Sequence, residues 1–276
     1  MGDALLRRSA RKRLARPRCG GQRQARERDG SPPTTGRVLE VSGRAMAATL
    51  MDPSIITAVL PADTFALCGA FHPDMEDHVP GVAANDPIRT LVLLGWTGGR
   101  QWPAFAASAE ARDGERHPLD RWSRRLIDAA ASRLNAVAFY PFGGPPHHDF
   151  QRWAMRAGPV ARSPIGLLIH PTWGLWHAYR GALGFRQRLP LVPTGEAPNP
   201  CDQCAGKPCL AACPVGAFTP GSYDVDACTG YLQGNGAADC FMGGCLARRA
   251  CPIRPPTAYS ADQSVFHMNA FALRQG

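Results

Sequence analysis

No run of eighteen apolar residues occurs in this 276-residue chain, so no membrane-spanning helix is expected. Three catalytic signatures are also missing: the order Ser-His-Asp, the H-E-x-x-H zinc pattern and a phosphate-binding Walker run. No catalytic residue is therefore assigned. No repeat of solenoid length appears. No secretory signal is read before the cysteines, so metal ligation is expected before a disulfide framework, and the expected location is the cytoplasm. Excess charge is missing from most of the chain as well. The formal net charge is +9, but residues 1–45 hold twelve Arg/Lys and four Asp/Glu. The other 231 residues carry about +1, so the basic pI gives no case for nucleic acid binding by the folded body.

Residues 1–45 are Arg-rich with few apolar residues and read as a disordered basic tail. A transit peptide and a nucleic-acid or lipid-binding arm are alternatives. The preferred reading is a solvated tail, or a start codon placed too early, with Met46 or Met51 as the true beginning. Hydrophobic content of 45% supports a real core in the rest.

Asp52-Pro53 reads as an N-cap and first helical residue, opening a helix to about Leu60. Phe65–Phe71 reads as a buried strand, and 72–88 as polar turns. Thr90–Leu94 is β-branched and apolar and reads as a central strand ended by Gly95. A helix follows over Trp102–Ala109. Asp120–Leu134 shows helical periodicity, with Trp122, Leu126, Ala129, Ala130 and Leu134 on the apolar face. Ala136–Tyr140 reads as a strand and Phe150–Ala157 as a helix. Gly166–His170 reads as a third strand and Leu175–Phe185 as a helix. Strands alternating with helices predict a mixed α/β layer over about 50–190. The proline-rich stretch 190–200 marks a domain boundary. A loop-rich module follows over about 197–257, and a C-terminal helix over 258–276, capped by Ser260 or Asp262.

Ten cysteines are present, and eight lie between Cys201 and Cys251. Cys19 falls in the tail, and Cys68 reads as a core residue. The eight form two groups: Cys201, Cys204, Cys209, Cys213, then Cys228, Cys240, Cys245, Cys251. Each group ends in Cys-Pro. The bacterial ferredoxin run is C-x2-C-x2-C-x3-C-P, and its fourth cysteine ligates the other cluster. Here the second gap is four residues, with AGKP able to supply a wider turn. Crosswise sharing gives Cys201, Cys204, Cys209 and Cys251 to one [4Fe–4S] cluster. It gives Cys228, Cys240, Cys245 and Cys213 to the other. One cluster with spare cysteines, or zinc, remains an alternative, although zinc runs favour paired C-x2-C knuckles and only one pair exists. Cys228 is the most irregular ligand.

The cysteine module resembles the ferredoxin part of epoxyqueuosine reductase, with CTGYL at 228–232 matching that family's isolated cysteine element. The gaps differ from that family's two-residue spacing. Upstream, SPIGLLIHPTWGLWHAYRGALGF at 163–185 resembles a segment shared with the CblC-type cobalamin-processing protein. The pattern is Gly166, His170-Pro171, Gly174, Trp176 and Arg180-Gly181. RTLVLLGWTGGRQWPAF resembles an earlier strand-turn-helix of the same family. The likeness covers roughly 50–255. It implies a nitroreductase-like α/β (α+β) domain followed by a two-cluster ferredoxin-like module. It also implies a corrinoid, cobalamin, as a further cofactor, contacted by Gly166, His170, Trp176 and Arg180. In the CblC-type family the matching arginine contacts the thiol cosubstrate. No counterpart of the reductase's catalytic aspartate is found, so queuosine chemistry is not expected. From the residues alone, His170 reads as a structural histidine, His147-His148 as a loop pair, and Trp173, Trp176 and Tyr179 as either core or stacking residues. The expected function is a reductase passing electrons through the clusters to a cofactor or small-molecule substrate held upstream. The alternative is an electron carrier or redox adaptor. The expected donor is a reductase, flavodoxin or ferredoxin.

Overall fold

A computed structural model describes residues 53–191, 197–234 and 238–274. The tail, Cys19, both alternative start methionines, Asp52 and part of the proline-rich stretch lie outside the described residues. The chain divides after residue 40, and every described residue lies in the second unit, Val41–Gly276.

Four antiparallel strands form the main sheet: β1 (Ala66–Phe71), β2 (Thr90–Thr97), β3 (Val137–Phe139) and β6 (His177–Phe185), in the order β1-β2-β6-β3. The fold is thus a mixture of helices with an antiparallel sheet, and not strands and helices in strict alternation. β2 is buried on both faces. Val92, Leu94 and Trp96 enter one apolar cluster, and Leu91 and Leu93 the other. That alternation is the period of two a strand imposes. Over the first face lie α1 (Pro53–Val59), α2 (Trp102–Ala106) and α3 (Pro118–Leu134), contributing Ile56, Phe105, Trp122 and Ile127. Over the second lies α4 (Phe150–Ala157) with Trp153 fully buried.

Several local expectations are corrected. Leu175–Phe185 is not a helix. Its aromatics recur every three residues, which mimics a helical face, but His177–Phe185 pairs with β2 from Thr97 to Thr90. A Cβ on Gly181 would stand 2.7 Å from the Ile127 side chain, so this glycine lets α3 press onto the strand. Gly95 does not end β2, which continues to Thr97 past an irregularity at Leu94/Gly95. Phe65–Phe71 is an edge strand, mostly half-buried. Gly166–His170 shortens to β5 (Leu168–Ile169), paired only with β4 (Ala161–Arg162) outside the main sheet. The second helix stops at Ala106. On α3, Ala129 is exposed, while Ser123 and Ile127 are buried.

Beyond the sheet come α5 (Pro208–Ala211), the hairpin β7 (Phe218–Thr219) and β8 (Ser222–Tyr223), then α6 (Val225–Gln233), α7 (Ala238–Gly243), α8 (Leu246–Arg249) and α9 (Ala261–Arg274). The Ser260 hydroxyl accepts from the Gln263 N–H at 3.1 Å and caps α9. Among the described residues no helix is long and apolar enough to cross a membrane.

Candidate metal centre

The eight clustered cysteines gather around two cavities. Cys201, Cys204, Cys209 and Cys251 line the first, of about 200 Å³. Cys213, Cys228, Cys240 and Cys245 line the second, of about 250 Å³. Each set thus takes three cysteines from one sequence group and one from the other. All eight are free thiols.

Local backbone chemistry explains the first set. Asn199 accepts the Cys201 N–H on its side-chain oxygen at 3.0 Å and donates its amide to the Arg162 carbonyl at 3.2 Å. One side chain therefore ties the Cys201 loop to β4. The wide gap closes with Gly206 and Lys207 both left-handed, and Pro208 starts α5, which carries Cys209. The Lys207 ammonium donates to the Cys201 carbonyl. Cys251 arrives from beyond α8. A Cβ on Gly174 would stand 2.4 Å from the Ile253 carbonyl oxygen, and Gly174 has φ +54°. Glycine there lets the segment after Cys251 lie against the 170–174 turn.

For the second set, Asp224 caps α6 by accepting the Ala227 N–H, which places Cys228 in the helix. The Ala217 N–H donates to the Cys213 sulfur at 3.4 Å. Met268 and Phe271 of α9 pack beside Cys228, Cys240 and Leu232.

The electrostatics divide in the same way. Burial, followed by Cys209 and Cys251, pushes the Cys201 thiol up to about 11. Cys209 is raised by burial and then by Cys251. Cys228 is raised by burial, opposed by the Tyr223 hydroxyl, then raised further by Cys213 and Cys240. Cys245 is raised by burial, opposed by the Arg248 and Ala247 N–H groups, then raised by Cys240 and Cys228. Thiols held together and up-shifted resist ionisation until a metal displaces their protons. Among the described residues no three His, Cys, Asp or Glu side chains are grouped to hold a single metal ion. Thiols spread around a cavity suit a body with several corners, as a cubane has.

The remaining sequence candidates are more dispersed. Gly166 occupies an exposed turn, φ +77°. His170 Nδ1 accepts the Thr172 and Trp173 N–H groups at 3.0 and 3.2 Å, so it organises the turn that ends in Gly174. Trp176 is buried, with the Arg248 guanidinium 4.6 Å above its ring. Arg180 bonds Asp120 at 2.5 Å and the Ser123 hydroxyl at 3.1 Å, on the α3 side of the sheet. None of these four lines either cysteine cavity. His148 is not a free loop residue, since its ring stacks on Trp153 at 5.3 Å. Cys68 packs beside the second core cluster, and burial pushes its thiol up to about 12.

Two cavity-lining hydroxyls carried no sequence signal: Ser163 in the first and Tyr223 in the second. Arg248 was equally unmarked. Its Nε donates to the Leu175 carbonyl at 2.9 Å, next to the start of β6, while its own residue borders the second cavity.

Solved structures similar to this chain include three of epoxyqueuosine reductase. Epoxyqueuosine reductase with a tRNA-Tyr epoxyqueuosine-modified stem loop is 16% identical, covering 79% of this chain and 68% of that one, at TM-score 0.43. Epoxyqueuosine reductase from Bacillus subtilis is 15% identical over 78% and 66%, at TM-score 0.45. The enzyme from Streptococcus thermophilus is 18% identical over 76% and 68%, at TM-score 0.44. No protein-family model matches the chain, and no curated protein does.

Proposed function

We propose that this chain is an iron–sulfur oxidoreductase holding two [4Fe–4S] clusters in a ferredoxin-like module, with electrons passed to an acceptor on the antiparallel-sheet body. The carrying observation is the gathering of eight thiols into two sets of four around two cavities of similar size. Bound clusters would supply low-potential, one-electron chemistry. The chain's part is to hold the thiolates, exclude water with apolar neighbours such as Ile169, Leu175 and Phe271, and set the distance to the acceptor.

Support for an upstream acceptor comes from Arg248. It borders the second cavity, bonds the Leu175 carbonyl, and lies over the Trp176 and Tyr259 rings at 4.6 and 4.9 Å. One side chain therefore joins the second cavity to the lead-in of β6. We propose a corrinoid as the acceptor, on a nitroreductase-like body. That part rests on the sequence likeness over 163–185.

The test is anaerobic reconstitution with iron and sulfide, followed by titration with hydroxocobalamin watched by absorbance. About eight irons per chain and a corrinoid spectral shift support the full reading. About eight irons without a shift leave an electron carrier. Colourless protein removes both.

A further inference from the structure

One side-chain hydroxyl lines the first cysteine cavity, and two tyrosine hydroxyls line the second. In the first it is Ser163, which is 7% exposed, and whose Oγ has no hydrogen-bond partner among the described residues. The backbone of Ser163 is fully engaged: its N–H donates to the Leu167 carbonyl at 2.9 Å, and its carbonyl accepts the Gly166 N–H at 3.0 Å. The turn between β4 and β5 is thus closed without the side chain. The Asn199 amide bond to the neighbouring Arg162 carbonyl holds this turn against the loop that carries Cys201. A buried hydroxyl without a partner is costly in a dry site. Its neighbours in the cavity are sulfurs, apolar walls and Gln203. Lys207, also in this cavity, is occupied with the Cys201 carbonyl.

In the second cavity the hydroxyls are those of Tyr231, in α6, and of Tyr223, in β8. The Tyr223 ring stacks on Phe218 at 4.5 Å and 12° across the β7–β8 hairpin, and leans on Phe271 of α9 at 6.4 Å. The residue borders the same cavity as Cys213, Cys228, Cys240 and Cys245. Cys228 follows five residues later, inside α6.

We infer that Ser163 and Tyr223 are positioning residues that donate O–H···S hydrogen bonds, one to each cluster, and so set the two reduction potentials separately. The inference rests on the two-cluster reading above. Reduction adds one electron, and hence one negative charge, to a cluster and its thiolates. A hydrogen bond to sulfur stabilises that added charge and raises the potential, a lever known for iron–sulfur centres in general. Removing the donor lowers it. Neither residue is a ligand, so neither is needed to keep iron.

The experiment is a redox titration of reconstituted full-length chain, followed by electron paramagnetic resonance, on the wild type, Ser163→Ala and Tyr223→Phe. Iron is counted on the same samples. The expected result is undiminished iron in both variants. One midpoint moves negative in Ser163→Ala and the other in Tyr223→Phe, each by about tenfold in the reduction equilibrium, or about 59 mV for one electron. The double variant moves both. If both variants keep their iron and neither midpoint moves, or each variant moves both midpoints alike, the inference fails while the two-cluster reading stands. Iron lost in Ser163→Ala or Tyr223→Phe also overturns it, since the residue is then structural. If wild-type protein binds no cluster, the reading beneath it fails instead.

Discussion

Replacing Cys251 by serine removes one thiol from the wall of the first cavity, where Cys251 is 5% exposed. Serine is nearly isosteric, so packing is preserved and the ligand is lost. With four thiols per cavity, iron should fall from about eight to about four per chain. Double variants give the argument its force. Cys201 belongs to the other sequence group but to the same cavity. Cys251→Ser with Cys201→Ser should therefore stay at about four irons. Cys245 shares a sequence group with Cys251 but lines the second cavity. Cys251→Ser with Cys245→Ser should lose nearly all iron. The assay is anaerobic reconstitution with colorimetric iron and acid-labile sulfide, and circular dichroism as a check on folding. The opposite pattern would refute the crossed arrangement: colourless protein for the first pair and half-loaded protein for the second.

Gly174→Ala places a methyl 2.4 Å from the Ile253 carbonyl and strains a residue at φ +54°. It should lower iron in the first cluster selectively, read as loss of the signal that Ser163→Ala shifts. Gly181→Val drives β6 against Ile127 and should cost about 1–3 kcal/mol, a fall of several degrees in the unfolding midpoint. Arg180→Ala takes the guanidinium from Asp120, in a pair whose side chains are 13% and 16% exposed. It should cost roughly 3 kcal/mol without loss of iron, and leucine at both positions should cost less. Burial, then the nearby His170, pushes His177 down to about 4. The unfolded chain, with an ordinary value of about 6.5, then binds a proton that the folded chain refuses. Stability should fall as pH drops from about 6.5 to 4 and be flat above it, with a shallower fall in His177→Gln measured by chemical denaturation.

What the sequence made legible follows from how local each signal is. The helix over Pro118–Leu134 was readable because its apolar stripe is long, although its face was misplaced by Ala129. β2 was readable from its β-branched and leucine run. β6 was not, because Trp173, Trp176 and Tyr179 repeat at helical spacing. Pairing with β2 and the pressure of Ile127 on Gly181 are decided by parts of the chain 54 to 95 positions away. The partition of the cysteines was foreshadowed by the two Cys-Pro endings, which are covalent spacing and thus local. Ser163 and Tyr223 left no trace, since a lone hydroxyl acquires meaning only from the cavity it faces. His170 was readable as a structural histidine, and its two N–H partners explain the His-Pro-x-x-Gly spacing.

The most direct measurement is iron anomalous scattering from crystals of anaerobically reconstituted protein. The account predicts two compact iron peaks, one enclosed by Cys201, Cys204, Cys209 and Cys251, the other by Cys213, Cys228, Cys240 and Cys245. A single peak, peaks elsewhere, or crystals without iron would contradict it.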